Sequence, residues 1–213
     1  VAAIAASYLI GGVPVGVLIG KSRGVDIRQQ GSGNIGATNV LRVLGVKWGL
    51  LAFALDVLKG AAPVLGGSAL GLHGWGLYGC GIAAVVGHCY SPYLRFAGGK
   101  AVATGLGVLL AFNWVAGLIC FGLWALITAA TRYVSLASMI AYAAAPLLAW
   151  LLGDDPPLIG ALCFLTVVSV YRHRENIRRL RAGTESRIGQ RGRPPDGDPD
   201  PPTAGVPKGG SDT

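Results

Sequence analysis

Charge is what this chain has least of. Lysine, arginine, aspartate and glutamate make up 13% of its 213 residues, about half the share of an ordinary soluble domain. Long stretches carry none. A soluble fold needs charge to cover its core, so this scarcity, beside 52% hydrophobic residues, excludes one and implies an all-α, polytopic integral membrane protein. Cysteine patterning is missing as well: Cys80, Cys89, Cys120 and Cys163 are scattered through apolar segments with no CxxC or Cys/His spacing. That excludes a disulfide framework and a zinc site, and no metal or other cofactor is expected; the four read as small core hydrophobes. No GxSxG nucleophile occurs, so a serine acyl-enzyme is not indicated. The positions five after His73, His88 and His173 hold Tyr78, Tyr93 and Arg178, so no histidine is followed at that spacing by an aspartate. The first apolar segment has no basic run before it and reads as a retained span, not a cleaved signal peptide.

The charges that are present are unevenly placed. A net charge of +8 raises nucleic acid as a partner, but the basic residues sit in short runs flanking apolar segments and nothing resembles a nucleic-acid-binding motif. Membrane lipid, and the rule that basic loops stay in the cytoplasm, explain them instead. Apolar segments cover residues 2–20, 46–70, 75–96, 101–112, 114–131, 134–152 and 158–171. Between them, Lys21, Arg23, Arg28, Arg42 and Lys47, then Arg95 and Lys100, then Arg132, then Arg172, Arg174, Arg178, Arg179 and Arg181 fall in alternate connections. The intervening connections carry Asp154 and Asp155 and no base. About seven transmembrane helices, with the N-terminus outside and the C-terminus cytoplasmic, put every loop base on one side. Fusing residues 101–131 into one helix would strand Arg132 and the final arginines outside. Residues 1–188 thus form the membrane domain, and residues 189–213, rich in proline, glycine and aspartate, a disordered cytoplasmic tail.

Three polar clusters share the expected cytoplasmic face. The first is Ser32-Gly33-Asn34-Ile35-Gly36-Ala37-Thr38-Asn39-Val40-Leu41-Arg42, a loop in which glycine lets backbone N–H groups approach an anion and Arg42 adds a fork. The second is Gly87-His88-Cys89-Tyr90 followed by Gly98-Gly99-Lys100 and Thr104, which resembles the phosphate-cradling logic of a P-loop without its GxxxxGK[ST] pattern. Its plainer reading is a loop whose lysine anchors to lipid headgroups. The third runs from Arg172 through His173 and Asn176 to Glu185; His173 and Asn176, three apart, share a face of a short helix leaving the membrane. Asp56 and Lys59, also three apart, can pair within a span, either as a functional site or as a structural ion pair. Ser135 and Ser138 begin the sixth span, where serine is more often a helix-packing residue.

Taken in order, SGNIGATNVLR, GHCYSPYLRFAGGKAVATGLG, RYVSLAS and HRENIRRLRAGTE resemble the bacterial acyl-phosphate:glycerol-3-phosphate acyltransferase family over nearly the whole chain. The resemblance implies a seven-helix enzyme of the cytoplasmic membrane, its active site facing the cytoplasm. It would move a fatty acyl group from acyl phosphate to the 1-hydroxyl of sn-glycerol 3-phosphate, giving lysophosphatidic acid and phosphate, the entry step of phospholipid synthesis. It would need no metal, and an acyl-phosphate-producing enzyme would be its functional link. By the same resemblance Ser32, Arg42, Lys100, Ser138, His173 and Asn176 are catalytic, and Gly33, Asn34, Asn39, Gly98, Gly99, Thr104 and Glu185 bind substrate or phosphate. Two positions depart from the family pattern: Ile35 stands in place of proline, and Ala101 in place of a third glycine, which matters only if that residue needs φ > 0.

Acyl phosphate is already an activated mixed anhydride, so positioning two phosphates and neutralising the leaving one suffices. Lys100, the Gly98 and Gly99 amides and Arg42 are expected to do this, with the substrate's own phosphate as proton acceptor. The alternative from another class is a small transporter of an anionic metabolite. It predicts ionisable groups serving both faces, a requirement only Asp56 and Lys59 meet, and no internal repeat supports it.

Overall fold

The computed structural model describes residues 1–189. The tail expected from residue 189 lies, beyond Gly189, outside the described residues. Ten α-helices and a single 3-10 turn, joined by irregular connections, make up the described residues, with no strand among them: α1 (Ala2–Gly12), α2 (Val15–Ser22), α3 (Ala37–Leu44), α4 (Val46–Ala69), α5 (Gly74–Cys89), α6 (Val102–Phe112), α7 (Trp114–Thr131), α8 (Val134–Leu151), α9 (Pro156–Arg172) and α10 (Arg174–Arg181), the turn being Pro92–Leu94. Among the described residues, four stretches are long and apolar enough to cross a membrane: Ala2–Ser22, Val46–Ala69, Trp114–Thr131 and Val134–Leu151. Their outward surfaces carry exposed leucines such as Leu50, Leu58, Leu118, Leu126 and Leu147, an apolar exterior that water would not tolerate.

The breaks follow from particular residues. The first apolar segment is not one helix: Pro14 lacks an N–H and biases Val13 to extended backbone (φ −55°, ψ 119°), which separates α1 from α2. Residues 101–131 divide at Asn113, whose side chain accepts from the Ala116 N–H at 3.0 Å and starts α7 as its N-cap. The same amide donates to Asp154 Oδ2 at 2.7 Å, while Tyr78 O–H donates to Asp155 at 2.8 Å. The acidic connections therefore meet at one end of the bundle. At the other end Arg132 donates to Ile188 O at 2.8 Å and Arg172 reaches residues 98 and 99, gathering the basic connections.

Helices approach each other closely where glycine allows it. A Cβ on Gly60 of α4 would lie 2.1 Å from Thr104 O of α6, and one on Gly11 of α1 2.0 Å from Ala84 O of α5. Backbone-to-backbone approach of this kind supplies the packing that lipid, as apolar as leucine, does not drive. The Ser32–Arg42 stretch, expected as a loop, is helical in its second half: Val40, Val43 and Leu44 of α3 pack toward Val15, Val17, Ile19, Ile27 and Ile35, a face read at helical spacing.

Candidate active site

The glycine loop at residues 98–101 is built around His88 and Arg172. A Cβ on Gly98 would fall 2.1 Å from His88 O, and one on Gly99 would fall 2.3 Å from His88 Nε2. Only glycine fits. The Gly99 N–H donates to His88 O at 3.0 Å, so this amide faces into the protein and is not the anion donor expected of it. From the end of α9, Arg172 donates Nε to Gly99 O at 2.9 Å and Nη2 to Gly98 O at 2.7 Å, with its guanidinium 5.2 Å over the Tyr90 ring. The carbonyls are thus turned toward a cation. Unspent donors lie instead at the start of α6, whose first hydrogen bond runs from Gly105 N–H to Ala101 O at 2.7 Å; the N–H groups of Val102, Ala103 and Thr104 before it have no helical partner, the arrangement that suits an anion. Ala101, the N-cap, holds φ 55° and ψ 27°, the left-handed conformation in which the missing third glycine matters.

Lys100 and the third cluster form one network. The Lys100 ammonium donates to Asn176 Oδ1. The Asn176 amide donates to Glu185 Oε1 at 2.6 Å, which also accepts from Ser135 Oγ at 2.6 Å, and Arg179 Nε donates to Glu185 Oε2 at 2.7 Å. Burial pushes Glu185 up, but the hydrogen bonds from Ser135, Asn176 and Arg179 outweigh it and hold the carboxyl below its ordinary value. Burial lowers Lys100 to about 8, aided by Arg179, Arg172 and Arg42 and opposed by Glu185. His173 is brought to about 4, by burial first, so its imidazole is neutral near pH 7. Its Nδ1 lies 2.8 Å from Ser169 O; a carbonyl only accepts, so Nδ1 carries the proton and Nε2 is left as an acceptor.

The remaining site residues divide. Asn39 is 1% exposed and its amide is spent on the loop, donating to Ile27 O at 2.8 Å and Gln30 O at 3.1 Å and accepting from Ser32 N–H at 2.8 Å. Asn34 Oδ1 accepts from Gly36 N–H at 2.9 Å, an Asx turn, and Gly33 supplies φ 68°. These three shape the first loop, whereas Ser32 is exposed and Arg42 adds to the positive field at Lys100. Ile35 links the two loops, its Cγ1 lying 3.2 Å from where a Gly99 side chain would begin. Thr104 is fully buried, its Oγ1 3.1 Å from His88 Nδ1. Ser138 is set apart from the polar network: its Oγ donates to Val134 O at 2.7 Å and accepts from Trp124 Nε1 at 3.2 Å. Ser135, one turn earlier, is the serine that joins Glu185.

Beside Lys100 the surface changes character at once. An apolar groove lined by Val102, Leu106 and Leu109 of α6, Ala141 and Ala145 of α8, and Leu162 and Leu165 of α9 starts at the first residue of α6. Ser138 and Tyr142 also line it, and Phe53, Phe121 and Trp124 border it as an aromatic group in which Trp124 stacks on both phenylalanines. Sequence reasoning missed this groove and missed Arg172 as a partner of the glycine loop; the signal for the latter was an arginine directly before His173 where a lipid-facing base is ordinary.

The family model described as "Glycerol-3-phosphate acyltransferase" matches residues 1–183. The chain is 48% identical over 185 residues to a glycerol-3-phosphate acyltransferase of Synechococcus sp. (strain JA-3-3Ab), covering 86% of this chain and 91% of that protein. It is 46% identical over 184 residues to one of Geobacter sulfurreducens, covering 86% and 95%. Among solved structures, the glycerol 3-phosphate form of PlsY (YgiH), an integral membrane glycerol 3-phosphate acyltransferase, superposes with a TM-score of 0.84 at 42% identity, covering 88% of this chain and 94% of that one. The family match covers α1 to α10 and ends just before Glu185, and the chain belongs to the glycerol-3-phosphate acyltransferase family.

Proposed function

We propose that this chain transfers a fatty acyl group from acyl phosphate to the 1-hydroxyl of sn-glycerol 3-phosphate, within the cytoplasmic membrane and with its site facing the cytoplasm. The topology we read is seven crossings: Ala2–Ser22 as one, then α4, α5, α6, α7, α8 and α9, with the N-terminus outside. The observation that carries the reaction is the join between Lys100 at the start of α6 and the apolar groove beginning at Val102. A ligand with a phosphate head and an acyl tail fits that junction. The acceptor comes from the relatives: the PlsY (YgiH) structures include a glycerol 3-phosphate form and a lysophosphatidic acid form.

In the mechanism, the acceptor's 1-hydroxyl oxygen attacks the acyl carbon. The carbon–oxygen bond to phosphate breaks, and the phosphate leaves with the electron pair. Its developing charge is met by Lys100, the free N–H groups that open α6 and the field of Arg42. The hydroxyl proton ends on the departing phosphate, with His173 Nε2 as an acceptor that orients it. Asn176, held by Glu185, fixes the ammonium. Ser32, exposed at the loop rim, and Ser138, at the head of the groove, border the two substrates.

The test uses purified protein given palmitoyl phosphate with and without sn-glycerol 3-phosphate, beside Lys100→Ala. Acceptor-dependent phosphate release with matching lysophosphatidic acid, lost in the variant, is the expected result. A folded sample that turns over no acyl phosphate would overturn the donor assignment, and a trapped acyl-serine would overturn direct transfer.

A further inference from the structure

A buried polar chain lies under the glycine loop, and the transfer chemistry does not call on it. Lys59 Nζ stands 2.9 Å from Asp56 Oδ1, and donates to Val13 O at 2.6 Å, a carbonyl at the break between α1 and α2. Asp56 Oδ1 is 3.9 Å from His88 Nδ1, and that nitrogen is 3.1 Å from Thr104 Oγ1. All four side chains are at least nine-tenths buried. Ionisable groups inside a membrane helix are costly, and an apolar set of the same volume would pack at least as well. What the chain touches is therefore informative. His88 receives the Gly99 N–H on its carbonyl and backs Gly99 with its ring, while Lys59 fixes the start of α2, the helix that leads to the first loop.

We infer that His88 and the Thr104 side chain, braced by the Asp56–Lys59 pair, are positioning groups that hold the glycine loop in its anion-receiving shape, and that the Thr104 hydroxyl acts through His88 without touching substrate. Thr104 is 0% exposed, and its own carbonyl is covered by Gly60, so its hydroxyl has His88 as its partner and no path to a phosphate. The inference rests on the acyl-transfer reading.

The experiment is a double-mutant cycle in the full-length protein, with Thr104→Val, His88→Gln and the two together, read as kcat/KM for palmitoyl phosphate and for sn-glycerol 3-phosphate, with Tm as the folding check. Each single change should lower kcat/KM by about tenfold. The double variant should lose no more than the worse single, because both remove the same link. Thr104→Ser, which keeps the hydroxyl, should restore activity. Should His88→Gln fail to fold, the cycle runs with Asp56→Asn and Lys59→Met made together, a change that removes both charges and leaves neither one orphaned. Losses that multiply, or a folded Thr104→Val with wild-type kcat/KM, would overturn the inference. Those results arise with an active wild type; a wild type without acyl-phosphate turnover strikes the acyl-transfer reading itself.

Discussion

Ala101 holds a left-handed conformation that costs an L-residue about 1–2 kcal/mol. Replacing it with glycine removes that cost. It also restores about 0.4–1 kcal/mol of unfolded-chain entropy and withdraws a buried methyl worth about 0.8 kcal/mol. The terms nearly cancel, so Ala101→Gly should leave Tm within about 3 °C of wild type and activity intact. Ala101→Val, β-branched at positive φ, should instead unseat Lys100 and abolish turnover while the remaining helices stay folded by circular dichroism. Arg172→Lys tests the fork: a single ammonium nitrogen lacks the planar, spaced pair of donors that match the Gly98 and Gly99 carbonyls, and kcat/KM should fall by about tenfold or more. Lys100 sets the pH dependence. In the role we propose its protonated form meets the anion, and its pKa is lowered to about 8, so kcat/KM should fall as pH rises through about 8. Lys100→Arg, charged throughout, should remove that alkaline decline at reduced activity. Much of this corner was legible as residue types and order, since glycines before a lysine and a His–Asn pair three apart have a phosphate logic of their own. Spacing could not say that Gly99 points its amide inward, nor choose between Ser135 and Ser138. Those two lie on the same helical face, and only the position of Glu185 separates them.

Helices in this protein are placed by their smallest residues. Gly60 of α4 meets the Thr104 carbonyl of α6 at a distance no side chain tolerates, so Gly60→Ala should push the two apart at about 1–3 kcal/mol, read as a lower Tm, with activity falling because α6 opens with the amides we propose for the anion. The element boundaries explain what the sequence showed and hid. Asn113 announces its break, whereas the break at Pro14 was hidden when residues 2–20 were read as one segment, and Asp155, which accepts from the Leu158 N–H at 3.1 Å, starts α9 two residues before the segment expected from residue 158. Helix α3 was hidden because Gly36, Ala37, Thr38 and Asn39 look like loop residues, while its apolar face is only Val40, Val43 and Leu44. The arginine-rich run was read as a short helix, and the structure has α10 there, beginning one residue after His173.

For the whole molecule, the sorting of basic and acidic connections to opposite ends makes a prediction about sidedness. With the four native cysteines replaced, Ser22→Cys should react with an impermeant thiol reagent only from the cytoplasmic side, and His73→Cys only from the outside. Labelling of both from one side would refute seven crossings. The charge asymmetry that suggests this is visible in the sequence because lysine and arginine are so few. The groove was not visible, since its lining residues come from separate apolar segments that look alike until they are packed.

That groove has a kinetic consequence. Its aromatic border, with Phe121 38% exposed, lies on the apolar outer surface, so in the acyl transfer we propose the donor reaches Lys100 from the bilayer and the acylated product leaves the same way. The donor's effective concentration is then its mole fraction among surrounding lipids. Adding inert lipid or detergent at fixed donor should slow turnover by surface dilution, while the water-borne acceptor keeps its ordinary dependence on molarity.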